Sequence, residues 1–423
     1  MSADASDAEP VRSAVTRWLA DNWDPDRPLA EWRSIVVDSG WACPSWPVAW
    51  FGKGLDPAGT AVVTEEFERC GAIGPAIGVG MTLAAPTLLT YASDRLKDRL
   101  LRRIATGEDT WCQLFSEPGN GSDLAGLTTN ARRDGDEWVV NGQKVWTTGA
   151  HHAAYGMLLA RTDFDVPKHR GITFFALPMR QPGIEVRPLR QMNGRSSFNE
   201  VFISDARVPH DHIVGEPGRG WTVALTTLSH ERGLSTALFG NVPTARSGRC
   251  AEEAIDEASA YLKTYEWYPQ RAGRADLAPV QAAASGRNED AVVRQHLARL
   301  SAIERTARWN VARNRAARAA GKAPGPEGSI AKLSGSVIAR TAAHLHAEIA
   351  GAYGMLSGPD SPAGGLVAEV LVSVPGASIA GGTDEIQHNI IGERVLQLPK
   401  EPTVDADIPF REVRVNTSRL GHA

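Results

Sequence analysis

Apolar side chains recur at helical spacing over the first quarter of the chain. In the segment VRSAVTRWLADNW, the residues Val11, Val15, Trp18 and Leu19 share one helical face. The segments AGTAVVTEEFERCGAI and SDRLKDRLLRRIATGE continue the pattern, and a Trp-, Pro- and Gly-rich stretch, GWACPSWPVAWFGKG, interrupts it as a packed loop. We therefore predict a helical region from residue 11 to about residue 108.

The hydrophobic period changes to two between about residues 110 and 215. The segment DEWVVNGQKVWTTGA alternates and contains Asn141-Gly142, a strong signal for a tight hairpin turn. Three further segments, GITFFALPM, GIEVRPL and NEVFISDARVP, are bounded by Gly, Pro or Asp, as strands are. The pattern predicts a small β domain with a hairpin at Asn141-Gly142.

Helical periodicity returns at about residue 218 and continues. A long Arg-rich helix, RQHLARLSAIERTARWNVARNRAARAA, precedes a helix from Ser329 to Gly351 whose small-residue face suits close packing. The segment between Thr264 and Asp290 lacks periodicity and is interpreted as a loop. We predict a mainly α fold with a small β domain, divided at residues 1–108, 109–217 and 218–423.

Composition limits the class of protein without naming an activity. The 423 residues carry 45 Lys and Arg against 49 Asp and Glu, a net charge of −4, with no clustered basic excess typical of nucleic-acid binding. The four cysteines and the histidines lack metal-ligand spacing. The first residues do not resemble a secretion signal, and no apolar run reaches the roughly 18 residues of a membrane span. We expect a cytoplasmic protein without a metal.

Three segments carry candidate chemistry. The glycine-rich turn in CQLFSEPGNGSDLAG offers hydroxyls and backbone amides to a polar ring system, or is an ordinary tight turn. In VWTTG, Trp146 is placed to stack on an aromatic ring and Thr148 to bond its edge, or Trp146 is an ordinary buried Trp. In SIAGGTDEIQ, Thr383 is placed to cap a helix whose first amides attract an anion or a polarised carbonyl, or the segment is an ordinary helix start after a loop. Neither a dinucleotide GxGxxG unit nor a P-loop is present.

The segment TTLSHERGLST places four polar residues, Ser229, His230, Glu231 and Arg232, in an apolar helical pattern near the start of a helix. Adjacent helical residues point in different directions, so at least one should face inward. A buried glutamate has a raised pKa, which suits a general base. A surface Glu beside an Arg is an equally good interpretation of the segment.

Taken together, FSEPGNGSDLAG, VNGQKVWTTGA and GGTDEIQHNIIGERVL resemble the signatures of the acyl-CoA dehydrogenase family of flavoproteins. The resemblance covers nearly the whole chain. It implies an N-terminal helical domain, a middle β-barrel-like domain and a C-terminal four-helix bundle. It also implies FAD, an acyl-CoA substrate, a role in β-oxidation and lipid metabolism, an electron-transferring flavoprotein as acceptor, and a dimer or homotetramer that shares its FAD sites.

The resemblance also implies roles for individual residues. Contacts to the isoalloxazine are expected from Gln113, Phe115, Ser116, Gly121, Ser122, Trp146 and Thr148. Other cofactor contacts are expected from Thr383, Glu385 and Gly351. Substrate contacts are expected from Ser122, Ser229, Arg232 and a backbone amide near Gly382. Two departures affect the FAD phosphates: Arg294 and Gln295 only approximate the usual phosphate-contacting segment, and Glu348 stands where a glutamine is usual.

The catalytic base presents a further departure. Many family members carry a glutamate just before the Gly-Thr of the last signature, where this chain has Gly381. Members resembling isovaleryl-CoA and long-chain acyl-CoA dehydrogenases place the base on the helix after the β domain, which matches Glu231. Two alternatives stay open: a catalytically silent subunit of a hetero-oligomer, and an oxidase or monooxygenase on the same fold. The acyl group, whether fatty, branched or steroid-derived, is left undetermined.

Overall fold

The structure, a computed structural model, describes residues 5–231, 247–322, 325–358, 361–403 and 405–413. Its internal contacts divide it into two compact units, which we describe separately. The first contains residues 1–189, 197–264 and 405–423, and the second contains residues 190–196 and 265–404. The predicted division into three domains stays a prediction.

Five helices open the first unit: α1 Ala5–Asn22, α2 Leu29–Asp38, α3 Pro57–Cys70, α4 Ala85–Tyr91 and α5 Asp94–Thr106. Their sequences explain where they start. The Asp56 carboxylate caps α3 by accepting from Gly59 N, and the Ser93 hydroxyl caps α5. Val15 and Leu19 are buried in a core around Trp32, as the helical spacing predicts. The predicted N-terminal helical region is confirmed.

A seven-stranded sheet follows, with strands β1 Trp111–Leu114, β2 Asn130–Asp134, β3 Glu137–Thr148, β4 Tyr155–Arg161, β5 Ile172–Pro178, β6 Ile184–Leu189 and β7 Phe198–Pro209. The strand order is β1-β4-β2-β3-β7-β6, and β5 pairs with β4. Strands β1 and β4 are parallel, whereas β3, β7 and β6 form an antiparallel ribbon. The predicted β domain is confirmed.

The hairpin prediction at Asn141-Gly142 is wrong. The turn between β2 and β3 lies at Gly135-Asp136, since Asp134 pairs with Glu137. Asn141 and Gly142 instead lie inside the continuous strand β3, where the β3–β7 register shifts. An added Cβ at Gly142 would lie 2.4 Å from Thr129 Oγ1, so this glycine serves a close backbone approach rather than a turn.

Two further helices lie among the described residues of the first unit: α6 Gly220–Glu231 and α7 Arg249–Lys263. Helix α6 packs on α4 and β5. A buried hydroxyl pair, Thr87 Oγ1 and Thr227 Oγ1 at 2.9 Å, joins α4 to α6. Helix α7 packs on α2, where Arg33 pairs with Glu257 at 2.5 Å.

The second unit is helical, with α8 Tyr268–Arg271, α9 Ala278–Ala284, α10 Ala291–Ala319, α11 Glu327–Ala350, α12 Leu366–Ser373, α13 Pro375–Ile379 and α14 Asp384–Ile390. The two long helices match the predicted pair. Helices α8 and α9 fall in the segment interpreted as a loop, and each carries a proline at its first or second position, where the missing N–H has no helical partner.

Among the described residues, one stretch, Ala363–Val395, is long and apolar enough to cross a membrane, and its most apolar 18-residue window has a mean hydropathy of 1.6. The expectation that no run reaches that length is therefore wrong by composition. Length and composition alone are weak evidence for a membrane span. In the fold, Pro375 and the Gly381-Gly382 turn divide this stretch into the short helices α12, α13 and α14.

Candidate active site

The glycine-rich loop, residues 115–127, connects β1 to β2 in the first unit. Glu117 and Asn120 exchange backbone hydrogen bonds of 3.1 and 3.0 Å and close a tight turn. Val145 N donates to Ser116 O over 2.9 Å, which fixes the loop on strand β3 one residue before Trp146. Two sequence segments predicted to contact a flavin therefore lie side by side.

A buried ion pair holds the base of this loop. Lys144 Nζ, wholly buried, donates to Glu117 Oε1 and to Phe115 O, both over 3.0 Å. The Glu117 carboxylate also accepts from the Thr128 and Thr129 amides over 2.8 Å. Burial alone would raise the pKa of Glu117, but the Lys144 charge and these hydrogen bonds outweigh it and lower the pKa to about 2.

The outer part of the glycine-rich loop presents small polar groups. Gly121 and Ser122 are exposed, and Ser116 is half-buried. An added Cβ at Gly121 would meet no described heavy atom within 4 Å apart from its chain neighbours. In contrast, an added Cβ at Gly126 would lie 2.8 Å from Asn120 Oδ1 and from Asp123 Oδ2, so the loop folds tightly only with glycine there. Phe115 points the other way, into the core against Phe174.

Trp146 occupies a bulge near the end of β3. Lys144 pairs with Val201 and Thr147 with Asn199, so β3 has one extra residue here. Trp146 has a φ of +63°, which is rare for an aromatic residue, and its side chain is 57% exposed. Its ring meets Phe198 edge-on at 5.8 Å, and Thr148 is half-buried beyond it. Strained, exposed aromatic residues are typical of binding sites.

Glu231 lies in the last described turn of α6, not near the start of the helix as expected. It follows the buried Thr227 by four residues and so shares the inward helical face. Gln113 Nε2, on β1, donates to Glu231 Oε2 over 3.2 Å. A predicted flavin-contacting residue and the predicted base are thus in direct contact. Ser229 is exposed and donates to Thr226 O, and Arg232 lies outside the described residues.

In the second unit, the Gly-Gly-Thr turn precedes α14. Gly381 and Gly382 have φ values of +67° and +82°. Gln387 Nε2 donates to both glycine carbonyls, over 3.1 and 3.2 Å, and the Thr383 hydroxyl accepts from Ile386 N as the predicted cap. Glu385 is exposed in the first turn. The turn is therefore held by hydrogen bonds from its own helix, and Gly381 is exposed.

Asp384 anchors this turn to helix α11. The carboxylate is buried and lies 3.0 Å from Lys332 Nζ and 3.2 Å from Arg340 Nη1. Burial would raise its pKa, but the hydrogen bond from Lys332 outweighs this and lowers the pKa. The sequence reasoning missed Asp384, Lys144 and Glu117. The signal for Lys144 and Glu117 was available in the sequence: a lysine stands at a core-facing position of a strand with an apolar pattern around it.

Within the described part of the chain, the residues predicted to lie near the FAD phosphates do not form one cluster of contacts with each other. Arg294 and Gln295 are exposed on α10. Glu348, on α11, pairs with His296, with His296 Nδ1 and Glu348 Oε2 2.6 Å apart. Gly351 is exposed at the end of α11 with a φ of +54°. The His296 ring thus gives a hydrogen-bond partner to the acid that stands where a glutamine is usual.

The residues of the first unit fit a flavin. A flat, conjugated ring with hydrogen-bonding edges needs an exposed aromatic face, hydroxyls and an open backbone edge, and Trp146, Ser116 and Gly121 offer these in two hydrogen-bonded segments. Among the described residues, no group of three or more His, Cys, Asp or Glu side chains is arranged to hold a metal ion.

Comparison with known proteins decides the family. Three family models match in order: the acyl-CoA dehydrogenase N-terminal domain at residues 8–108, the middle domain at 112–206 and the C-terminal domain at 277–396. "Acyl-CoA dehydrogenase IpdE1" of Mycobacterium tuberculosis is 33% identical over 418 residues, covering 93% of this chain and 99% of that relative. The chain belongs to the acyl-CoA dehydrogenase family. It is a flavoprotein oxidoreductase that uses FAD and acts on acyl-CoA.

Other relatives agree with this assignment. "Acyl-CoA dehydrogenase FadE34" of the same organism is 36% identical, covering 86% of this chain and 46% of that relative. Among solved structures, the "ChsE4-ChsE5 complex from Mycobacterium tuberculosis" matches with a TM-score of 0.59 and 28% identity, covering 95% of this chain and 100% of that one. The "Tcur3481-Tcur3483 steroid ACAD" matches with a TM-score of 0.62 and 25% identity, covering 94% and 99%.

Proposed function

We propose that this chain dehydrogenates an acyl-CoA thioester between its α and β carbons, with Glu231 as the base. The observation that carries the proposal is the hydrogen bond from Gln113 to Glu231, which places a carboxylate beside the strand that leads into the glycine-rich loop. A carboxylate held by an amide donor is oriented without being neutralised, as a proton acceptor requires.

We propose the following roles for the residues in this reaction. Glu231 accepts the α-proton of the thioester. A backbone amide near Gly382 polarises the thioester carbonyl and stabilises the charge that develops on its oxygen. Bound FAD supplies the acceptor for the β-hydride, and the product is a trans-2-enoyl-CoA. Ser229 and Arg232 would contact the pantetheine arm, and Ser122 would face the substrate as well as the cofactor.

The proposed FAD contacts follow the residues of the family signatures. Gln113, Phe115, Ser116, Gly121, Ser122, Trp146 and Thr148 are proposed to surround the isoalloxazine, with Phe115 contributing only its backbone because its ring is in the core. Thr383, Glu385, Arg294, Gln295, Glu348 and Gly351 are proposed to contact the rest of the cofactor. We further propose a cytoplasmic oligomer, a dimer or tetramer, that passes its electrons to an electron-transferring flavoprotein.

A second candidate is the catalytically silent subunit of a hetero-oligomer. Two observations favour it: Gly381 replaces the commoner acid, and Arg294 and Gln295 only approximate the usual phosphate-contacting segment. The two solved structures above are also named as pairs of different chains.

The test is to purify the chain alone and measure its flavin absorbance. Acyl-CoA thioesters, including short-chain and steroid-derived ones, are then added without an electron acceptor. Loss of the oxidised flavin band with any of them supports the dehydrogenase. A chain that binds no FAD alone, or whose flavin no thioester reduces, contradicts it and favours the silent subunit. Peroxide released in air during turnover would instead indicate an oxidase.

A further inference from the structure

The C-terminal segment, residues 405–413, packs against the sheet of the first unit. Phe410 N donates to Val166 O over 3.0 Å, and Arg411 N donates to Phe164 O over 3.1 Å. Arg411 also forms an ion pair with Asp165. The segment thus follows the connection between β4 and β5, and two of its side chains lead from there to the glycine-rich loop.

The first link is an ion triad. Lys168 Nζ lies 2.8 Å from Asp405 Oδ2 and 3.2 Å from Asp123 Oδ1. The Lys168 side chain is only 12% exposed, so its charge is better shielded from water than that of an ordinary surface lysine. Asp123 directly follows Ser122 in the glycine-rich loop. Asp405 therefore pairs with Lys168, which in turn pairs with Asp123 in the outer part of the glycine-rich loop.

The second link passes through a buried guanidinium. Arg161 is fully buried, and it donates to Ala125 O over 2.7 Å and to Leu127 O over 3.2 Å. The buried ring of Phe410 covers it, with the guanidinium carbon 3.4 Å from the ring centroid. Ala125 and Leu127 form the far end of the glycine-rich loop. Phe410 thus completes the surroundings of the cation that holds this end.

We propose that Asp405 and Phe410 are positioning residues that hold the glycine-rich loop in its FAD-binding conformation, Asp405 through Lys168 and Phe410 through Arg161. The inference rests on the flavin site proposed above. Its physical basis is preorganisation: a loop rich in glycine loses much conformational freedom when it closes on a ligand, and anchoring it beforehand reduces that loss. Both links act on the part of the loop that directly follows the exposed residues Gly121 and Ser122.

The experiment is a fluorescence titration of FAD into the full-length apoprotein. Asp405→Asn keeps the shape of the side chain and removes its charge, so we expect the dissociation constant for FAD to rise about 3- to 10-fold. The matched control is Asp407→Asn, an exposed aspartate two residues away, which should leave the constant unchanged. Phe410→Leu keeps an apolar side chain but removes the ring, and should raise the constant about 2- to 5-fold.

A mutant cycle separates positioning from general stability. If Asp405 acts through Lys168, Asp405→Asn should have no further effect on FAD binding in a Lys168→Met background, whatever the thermal stability of the apoproteins. Two results would overturn the inference: an effect that persists in that background, or unchanged FAD binding in Asp405→Asn while Trp146→Ala weakens it. Unchanged FAD binding in both Asp405→Asn and Trp146→Ala would overturn the proposed flavin site itself.

Discussion

The Gln113 side-chain amide donates a hydrogen bond to the Glu231 carboxylate over 3.2 Å, and this bond joins strand β1 to the last described turn of helix α6. Helix α6 is in turn held to α4 by the Thr87–Thr227 hydroxyl pair. The carboxylate is thus placed by packed elements rather than by a loose loop, as a residue that moves a proton at a defined carbon requires.

Replacing Glu231 with Gln should remove the proton acceptor and keep the side-chain shape. We expect turnover to fall by about 10²- to 10⁴-fold, the range that general-base catalysis contributes. FAD content and coenzyme A binding should be unchanged, because neither requires this carboxylate. Stopped-flow flavin reduction gives the rate, and Glu216→Gln, an exposed glutamate shortly before α6, is the control. Near-normal flavin reduction in Glu231→Gln would show that the base lies elsewhere.

Glu117 should make the protein sensitive to acid. Its pKa is about 2 in the folded protein and about 4.3 in an unfolded chain, so its ionised form stabilises the fold above about pH 4.3. That contribution, roughly 3 kcal/mol, is lost as the pH falls toward 2. Denaturant unfolding at pH 6, 4 and 3 measures it. Glu117→Gln should be less stable at pH 6 and lose less stability on acidification, and an equal loss in both proteins would contradict the assignment.

Trp146→Gly should separate stability from cofactor binding. Glycine adopts a φ of +63° without the roughly 1 kcal/mol that such a conformation costs another residue, so thermal unfolding of the apoprotein should not become easier. FAD affinity should nevertheless fall, because the stacking face is gone. Asp205→Gly, at φ +54° on β7, is the control and should leave FAD affinity unchanged. Full FAD affinity in Trp146→Gly would remove Trp146 from the proposed site.

The two glycines before Thr383 should differ in how well they tolerate substitution by alanine. An added methyl at Gly382 would lie 2.6 Å from Gln387 Nε2, which bonds both glycine carbonyls, whereas at Gly381 it would meet no described heavy atom within 4 Å. Both positions have positive φ, so each alanine costs about 1–2 kcal/mol, and Gly382→Ala adds the clash. Thermal unfolding and turnover should be more strongly affected in Gly382→Ala. Equal effects would mean that Gln387 moves aside without cost.

Much of the fold could be predicted from hydrophobic periodicity. Val15 and Leu19 share a buried face because a helix of 3.6 residues per turn places them there, and the change to a period of two marks the sheet. Short segments of the sequence also indicate the glycine-rich loop, Trp146 and the Thr383 cap, because the residue types in each segment favour that local structure or contact. Local signals fail where long-range contact overrides them: Asn141-Gly142 reads as a turn, but close packing against Thr129 keeps it within a strand.

The order of helices and strands, the family resemblance and Glu231 as a candidate base can thus be predicted without coordinates, because they depend on neighbours along the chain. Contacts between residues far apart in the chain become known only from the folded arrangement. Gln113 reaches Glu231 across 118 positions, and Lys168 joins Asp123 to Asp405 across even more. No periodicity encodes such pairs, since their geometry depends on how packed elements bring separate segments together.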